Sequence, residues 1–117
     1  MPLDISQLVL DMQAAATSVL KADVTTFRGF SDRQLKAIAQ QAELVRLGIT
    51  TGQITDETRE FFLDGLEDMA LSFARTLRGL LIATVEKVWN ALVGVLWKAI
   101  STATGLILPI PTLGADR

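Results

Sequence analysis

The residues best suited to chemistry stand between positions 56 and 68. Asp56, Glu57, Glu60, Asp64, Glu67 and Asp68 crowd six carboxylates into this stretch. On a helix at about 100° per residue, Glu57, Glu60, Asp64 and Asp68 project within about 80° of one another. Helical bundles do hold paired metals with carboxylates, but that pattern also takes a histidine three residues after a glutamate. The chain has no histidine. Calcium loops place their acids on a glycine-containing loop, whereas this run has helical spacing. The reading adopted is a solvated helix face, whose acids favour the positive end of the helix dipole.

Other chemistry finds no better footing. Thr50, Thr51 and Gly52 in GITTGQIT resemble a phosphate loop only superficially. That loop needs a lysine directly after its last glycine, and Gln53 stands there. Cysteine, tyrosine and histidine are all absent, which removes the thiol nucleophile and the imidazole that activates a serine. The expectation is a non-enzyme with no cofactor, no metal and no small-molecule substrate. A net charge of −2 argues against a general nucleic-acid binder, which needs a basic face.

The charge is unevenly spread. Residues 1–51 carry five acids and five bases. Residues 52–68 carry six acids against Arg59, and residues 69–117 carry five bases against Glu86 and Asp116. The chain runs neutral, then acidic, then basic and strongly apolar. Its N-terminus, MPLDISQLVLDMQ, has no basic segment, and Asp4 and Asp11 interrupt its apolar residues, unlike a secretory signal. The expected location is cytoplasmic or virion-associated, or at a membrane.

The elements that would position these groups read as helices. Ile5, Leu8, Val9, Met12, Ala16, Val19 and Leu20 form one stripe of an amphipathic helix over about 4–22, capped by Asp4. Phe27 and Phe30 anchor a connection, and Ser31 opens a capping-box pattern with Gln34. The second helix covers about 32–51, with Leu35, Ile38, Ala39, Ala42 and Val45 as its stripe; Gly52 suits its stop. Thr55 is placed to cap a third helix. No proline follows until Pro109, so the spacing predicts one long helix over about 56–102, ~70 Å if straight, with Gly79 or Gly94 as candidate bends. Pro109 and Pro111 make 103–117 an apolar extended tail, which either folds back or docks on a neighbouring subunit. The first two helices do not match each other residue for residue, and no internal repeat is apparent. The expectation is a single all-α domain of two short amphipathic helices, one long helix and this tail.

GLLIATVEKVWNALVGVLWKAI, residues 79–100, dominates the functional reading. About two-thirds of this segment's circumference is apolar. The polar stripe, set by the acids in 56–68, drifts by roughly a quarter turn by the time it reaches Glu86, Lys87, Asn90 and Lys98, as in a bent helix or an eleven-residue repeat. Ten Leu, Ile or Val residues contribute roughly −4 kcal/mol to membrane insertion, and each central charge returns about +3, so spanning by one copy is marginal to unfavourable. With half the residues hydrophobic and a mean hydropathy of +0.37, so short a chain has limited interior. Two short helices would leave apolar surface open, and such surface marks interfaces.

The favoured expectation is therefore a non-enzymatic structural protein that self-assembles, of the kind that suits a virion or an injection apparatus. Its interface would be Phe62, Leu66, Phe73, Leu77, Leu81, Val85, Val88, Trp89, Leu92, Val95, Leu96 and Trp97. The first alternative is a membrane-active pore, with Glu86, Lys87, Asn90 and Lys98 facing its lumen and Arg75 and Arg78 flanking the lipid. The second is a small adaptor that holds a partner helix.

Overall fold

The computed structural model describes residues 2–113. The order is α1 (Ile5–Leu20), a short 3-10 turn (Val24–Thr26), α2 (Asp32–Thr50), α3 (Arg59–Thr76) and α4 (Ile82–Thr104). No strand occurs among the described residues. The first two helices form where the stripes place them. The Asp4 carboxylate accepts from Gln7 N–H at 3.0 Å and the Ser31 hydroxyl from Gln34 N–H at 3.2 Å. Each satisfies an amide that the first helical turn leaves without a partner.

The long helix expected over 56–102 is two helices. Its start moves to Arg59, because Thr55 to Thr58 close a turn in which Thr55 N–H bonds the Thr58 hydroxyl. The break falls at Gly79, whose φ is +82°. Leu77 has already left the helix at φ −71°, ψ 124°, and α4 starts afresh at Ile82. A left-handed glycine reverses the chain with no need of proline. The greatest extent of the molecule is 42 Å, well short of a continuous rod. Gly94, the other candidate bend, lies inside an unbroken α4. The drift of the polar stripe thus records two helices facing different neighbours.

Four helices then form two hairpins. α4 packs against α1, α2 and α3, which is why it is apolar around most of its circumference. Met12, Leu35, Leu66, Phe73, Leu92, Leu96 and Ile100 meet at the centre with no exposed surface. The Trp89 indole N–H donates to the Glu67 carbonyl at 2.9 Å, tying α4 to α3. Phe30 stacks edge-on against Phe73, centroids 6.0 Å apart, so the α1–α2 connection is anchored as expected. Beside α1, the buried Arg46 makes two bonds to Glu43, at 2.7 and 2.8 Å. Glu43 in turn accepts from Leu3 N–H, which holds the segment ahead of α1.

The tail does not stand away from the body. After Gly105 the chain runs back along α4. Leu108 is buried, and Asn90 grips Leu113 through two bonds: its amide donates to the Leu113 carbonyl at 3.0 Å, and its oxygen accepts from Leu113 N–H at 2.7 Å. The remainder of the tail, 114–117, lies outside the described residues.

Candidate functional site

Of the twelve residues expected at an oligomer interface, Leu66, Phe73, Leu77, Val88, Trp89, Leu92, Leu96 and Trp97 are buried inside the single chain. Phe62, Val85 and Val95 are half-buried against the same core. Leu81 alone is widely exposed, at 76%. The physical reason is the break at Gly79, which supplies a fourth helix to cover what three would leave open.

The polar stripe is divided in the same way. Lys87 and Lys98 are exposed, whereas Glu86 and Asn90 are half-buried, and Asn90 spends its hydrogen bonds on Leu113. The four residues therefore do not present one continuous polar strip. Arg75, in the last turn of α3, and Arg78, in the turn after it, are both exposed. No helix among the described residues is long and apolar enough to cross a membrane.

The acids of 56–68 lie in the first half of α3 and the turn before it, and Asp56, Glu57, Glu60, Asp64 and Asp68 are exposed. Arg59 donates to Asp56 at 2.8 Å. Glu67 is half-buried, and its carboxyl is held above the usual range, chiefly by loss of water and then by the charges of Asp64, Glu60 and Asp68. Among the described residues, no group of three acids is placed to hold a metal ion. The Thr50 and Thr51 hydroxyls both bond back to the Leu47 carbonyl and cap α2 rather than cradle a phosphate. Ser18 and Lys21 have Ser-x-x-Lys spacing, but both are exposed and nothing there excludes water.

What the fold does build is a set of surface hollows along α3, two of them with exposed apolar side chains in their lining. The first is an open groove of about 520 Å³ between α3 and α4, lined by Leu71, Leu80, Ile82, Val85 and Leu113 with Arg75 and Glu86. Glu86 also interacts within its own chain. Ile82 is 78% exposed at its mouth, and α4 starts there without a side-chain cap. The second hollow, between α3 and α2, is lined by Gln41, Phe61, Phe62, Gly65, Asp64 and Asp68. Phe61 is 75% exposed, held edge-on against Phe62 at 5.3 Å.

Leu71, Leu80, Ile82 and Phe61 are not among the residues that periodicity singles out. One signal for the turn that carries Leu80 and leads to Ile82 is in the chain. Thr76-Leu77-Arg78-Gly79-Leu80 repeats the pattern of Thr26-Phe27-Arg28-Gly29-Phe30, and the earlier copy already reads as a connection. No protein-family model, curated protein or solved structure matches this chain.

Proposed function

We propose that this chain is a non-enzymatic structural protein that self-assembles, and that its contact surface is the groove and the uncovered side chains beside the α3–α4 turn rather than the length of α4. The observation that carries this is the exposure of Leu81 and Ile82, at 76% and 78%, next to a groove with an apolar floor. Covering such side chains contributes about 1.5–3 kcal/mol each. Apolar surface gathered around a hollow marks a contact site more often than scattered exposed residues do. A subunit of a virion or an injection apparatus is the setting that this composition suits.

A membrane-spanning pore is the weaker reading, since none of the described helices has the length and apolarity to cross a bilayer. Sedimentation velocity on purified protein across a wide concentration range tests the proposal. The expected result is a mass that rises with concentration above the 12.7 kDa of one chain. A single 12.7 kDa species throughout would sink it, and co-purification of a second protein in fixed ratio would favour an adaptor.

A further inference from the structure

We infer that Arg28 and Arg78 together form a binding site for a phosphoryl oxyanion, in the hollow where the two turns meet. The inference goes beyond the self-assembly proposed above and does not depend on it. Three observations carry it.

The first is how the fold brings the pair together. Each arginine precedes a left-handed glycine in the same five-residue pattern, Thr26-Phe27-Arg28-Gly29-Phe30 and Thr76-Leu77-Arg78-Gly79-Leu80. The two turns are docked on each other. Arg78 N–H donates to the Arg28 carbonyl at 2.8 Å, and Gly29 lies so near the Thr76 carbonyl that a Cβ there would have no room. The Cγ of Arg78 stands 3.6 Å from that same Cβ position, so its side chain lies over the residue next to Arg28. Two like charges thus start from one rigid juncture.

The second is the lining. Arg28, Gly29 and Arg78 line an open hollow of about 460 Å³. The other hollows all carry acids: Glu86 in the groove, Asp56 and Glu60 beside Trp97, Asp64 and Asp68 beside Phe61. This one carries none among the described residues. Neither guanidinium has an ion pair or a side-chain hydrogen bond there. The third is the surrounding charge. Asp23 is taken by the Thr25 N–H and hydroxyl, at 3.0 and 2.8 Å, and Asp32 pairs with Lys36 at 3.5 Å. Arg33 and Arg75, on the helices either side, are exposed and add to a positive field.

Like charges held side by side repel, and an anion between them relieves this. A guanidinium presents a planar fork of donors that fits phosphate oxygens two at a time. Two forks match a phosphate monoester or inorganic phosphate, which carries about −1.5 to −2 near neutral pH. Because the turns are already docked, little ordering is lost on binding.

The experiment titrates sodium phosphate into the full chain by calorimetry, with chloride at matched ionic strength as the reference. Wild type should bind one phosphate per chain, saturably. Arg28→Gln and Arg78→Gln read the site from its two hairpins. Each should weaken binding about tenfold or more, the loss of one charged two-point contact. Lys98→Gln, an exposed position late in α4, makes the same change in net charge and should leave binding within about twofold, as charge screened by distance does. Circular dichroism checks that each variant folds. A second arm floats the protein with phosphatidylcholine vesicles, with and without phosphatidic acid. Flotation that needs phosphatidic acid, and that both arginine variants lose, supports the site and makes a lipid headgroup the source. Saturable binding of free phosphate without flotation supports it as a site for a soluble oxyanion. No saturable phosphate binding together with no flotation overturns the inference. So does an equal loss in Lys98→Gln, or flotation that survives both arginine variants.

Discussion

Thr26-Phe27-Arg28-Gly29-Phe30 links α1 to α2, and Thr76-Leu77-Arg78-Gly79-Leu80 links α3 to α4, fifty residues later. The two turns share a backbone. Phe27 and Leu77 are both extended, at φ −75° and −71°, and both glycines are left-handed, at +88° and +82°. They are also joined, since Arg78 N–H donates to the Arg28 carbonyl at 2.8 Å. They differ at the helix each one opens. Ser31 caps α2, whereas Leu81 and Ile82 open α4 without a side-chain cap and largely in water. The same turn thus ends one hairpin in ordinary solvated helix chemistry and leaves the other with an apolar edge. The second hairpin is therefore the one that carries the contact surface proposed above.

The sharpest way to break the likeness is at the glycines. A Cβ on Gly29 would run into the Thr76 carbonyl oxygen, while one on Gly79 meets nothing within 4 Å. Gly29→Ala combines a left-handed alanine with a backbone clash and should cost about 3–5 kcal/mol, or prevent folding. Gly79→Ala carries only the conformational cost, about 1–2 kcal/mol. Urea denaturation of the two variants side by side reads this contrast, and equal losses would mean that the two turns do not meet at Gly29 and Thr76.

Next in size is the tail. Asn90→Ala strips both bonds from Leu113 and should cost about 1–3 kcal/mol. Gln40, its counterpart fifty residues earlier, is exposed, and Gln40→Ala should stay within about 0.5 kcal/mol. Thermal melts suffice to compare them. A smaller effect separates the helix starts. Ser31→Ala should lose about 1 kcal/mol, and Leu81→Ser, which offers α4 the missing acceptor, should gain up to about 1 kcal/mol while weakening any assembly.

The least effect concerns pH, and its sign differs between the hairpins. Glu43 in the first is held low, mainly by the hydrogen bonds from Arg46, against the opposing effect of its burial. It therefore adds stability above its unfolded pKa that is lost as pH falls. Glu67 in the second is held high, so its ionised form costs stability near neutrality, and protonation relieves that cost. Glu43→Gln should lower stability at pH 7 and flatten the loss in acid. Glu67→Gln should raise it at pH 7 and change little in acid. Melting temperatures from pH 3 to pH 8 on both variants would show the opposite slopes, and parallel slopes would refute the assignment.

Much of the fold can be read from residue order alone. The stripe from Ile5 to Leu20 and the caps at Asp4 and Ser31 are local matters of period and hydrogen bonding, and α1 and α2 form within a residue or two of where these place them. The break at Gly79 is harder to see, because Leu77, Leu80 and Leu81 around it are apolar enough to continue a helix and no proline marks the spot. The candidate site is less legible still. A helix that is apolar on most sides, as α4 is, looks the same whether its neighbours are its own chain or another copy. Only the packing of α1, α2 and α3 around it reveals that Trp89 and Trp97 are interior while Leu81 and Ile82 are left over.

The close approach of Gly29 to Thr76 has a consequence for folding kinetics. Each hairpin is local in sequence and can form quickly by itself. The Gly29–Thr76 meeting spans forty-seven residues and exists only after both turns are built and docked. Its energy should be missing from the transition state, with a φ-value near zero. Loosening that contact would then leave the refolding rate almost unchanged and hasten unfolding. On this view the juncture of the two turns acts as a latch that closes last and sets how long the native state survives once formed.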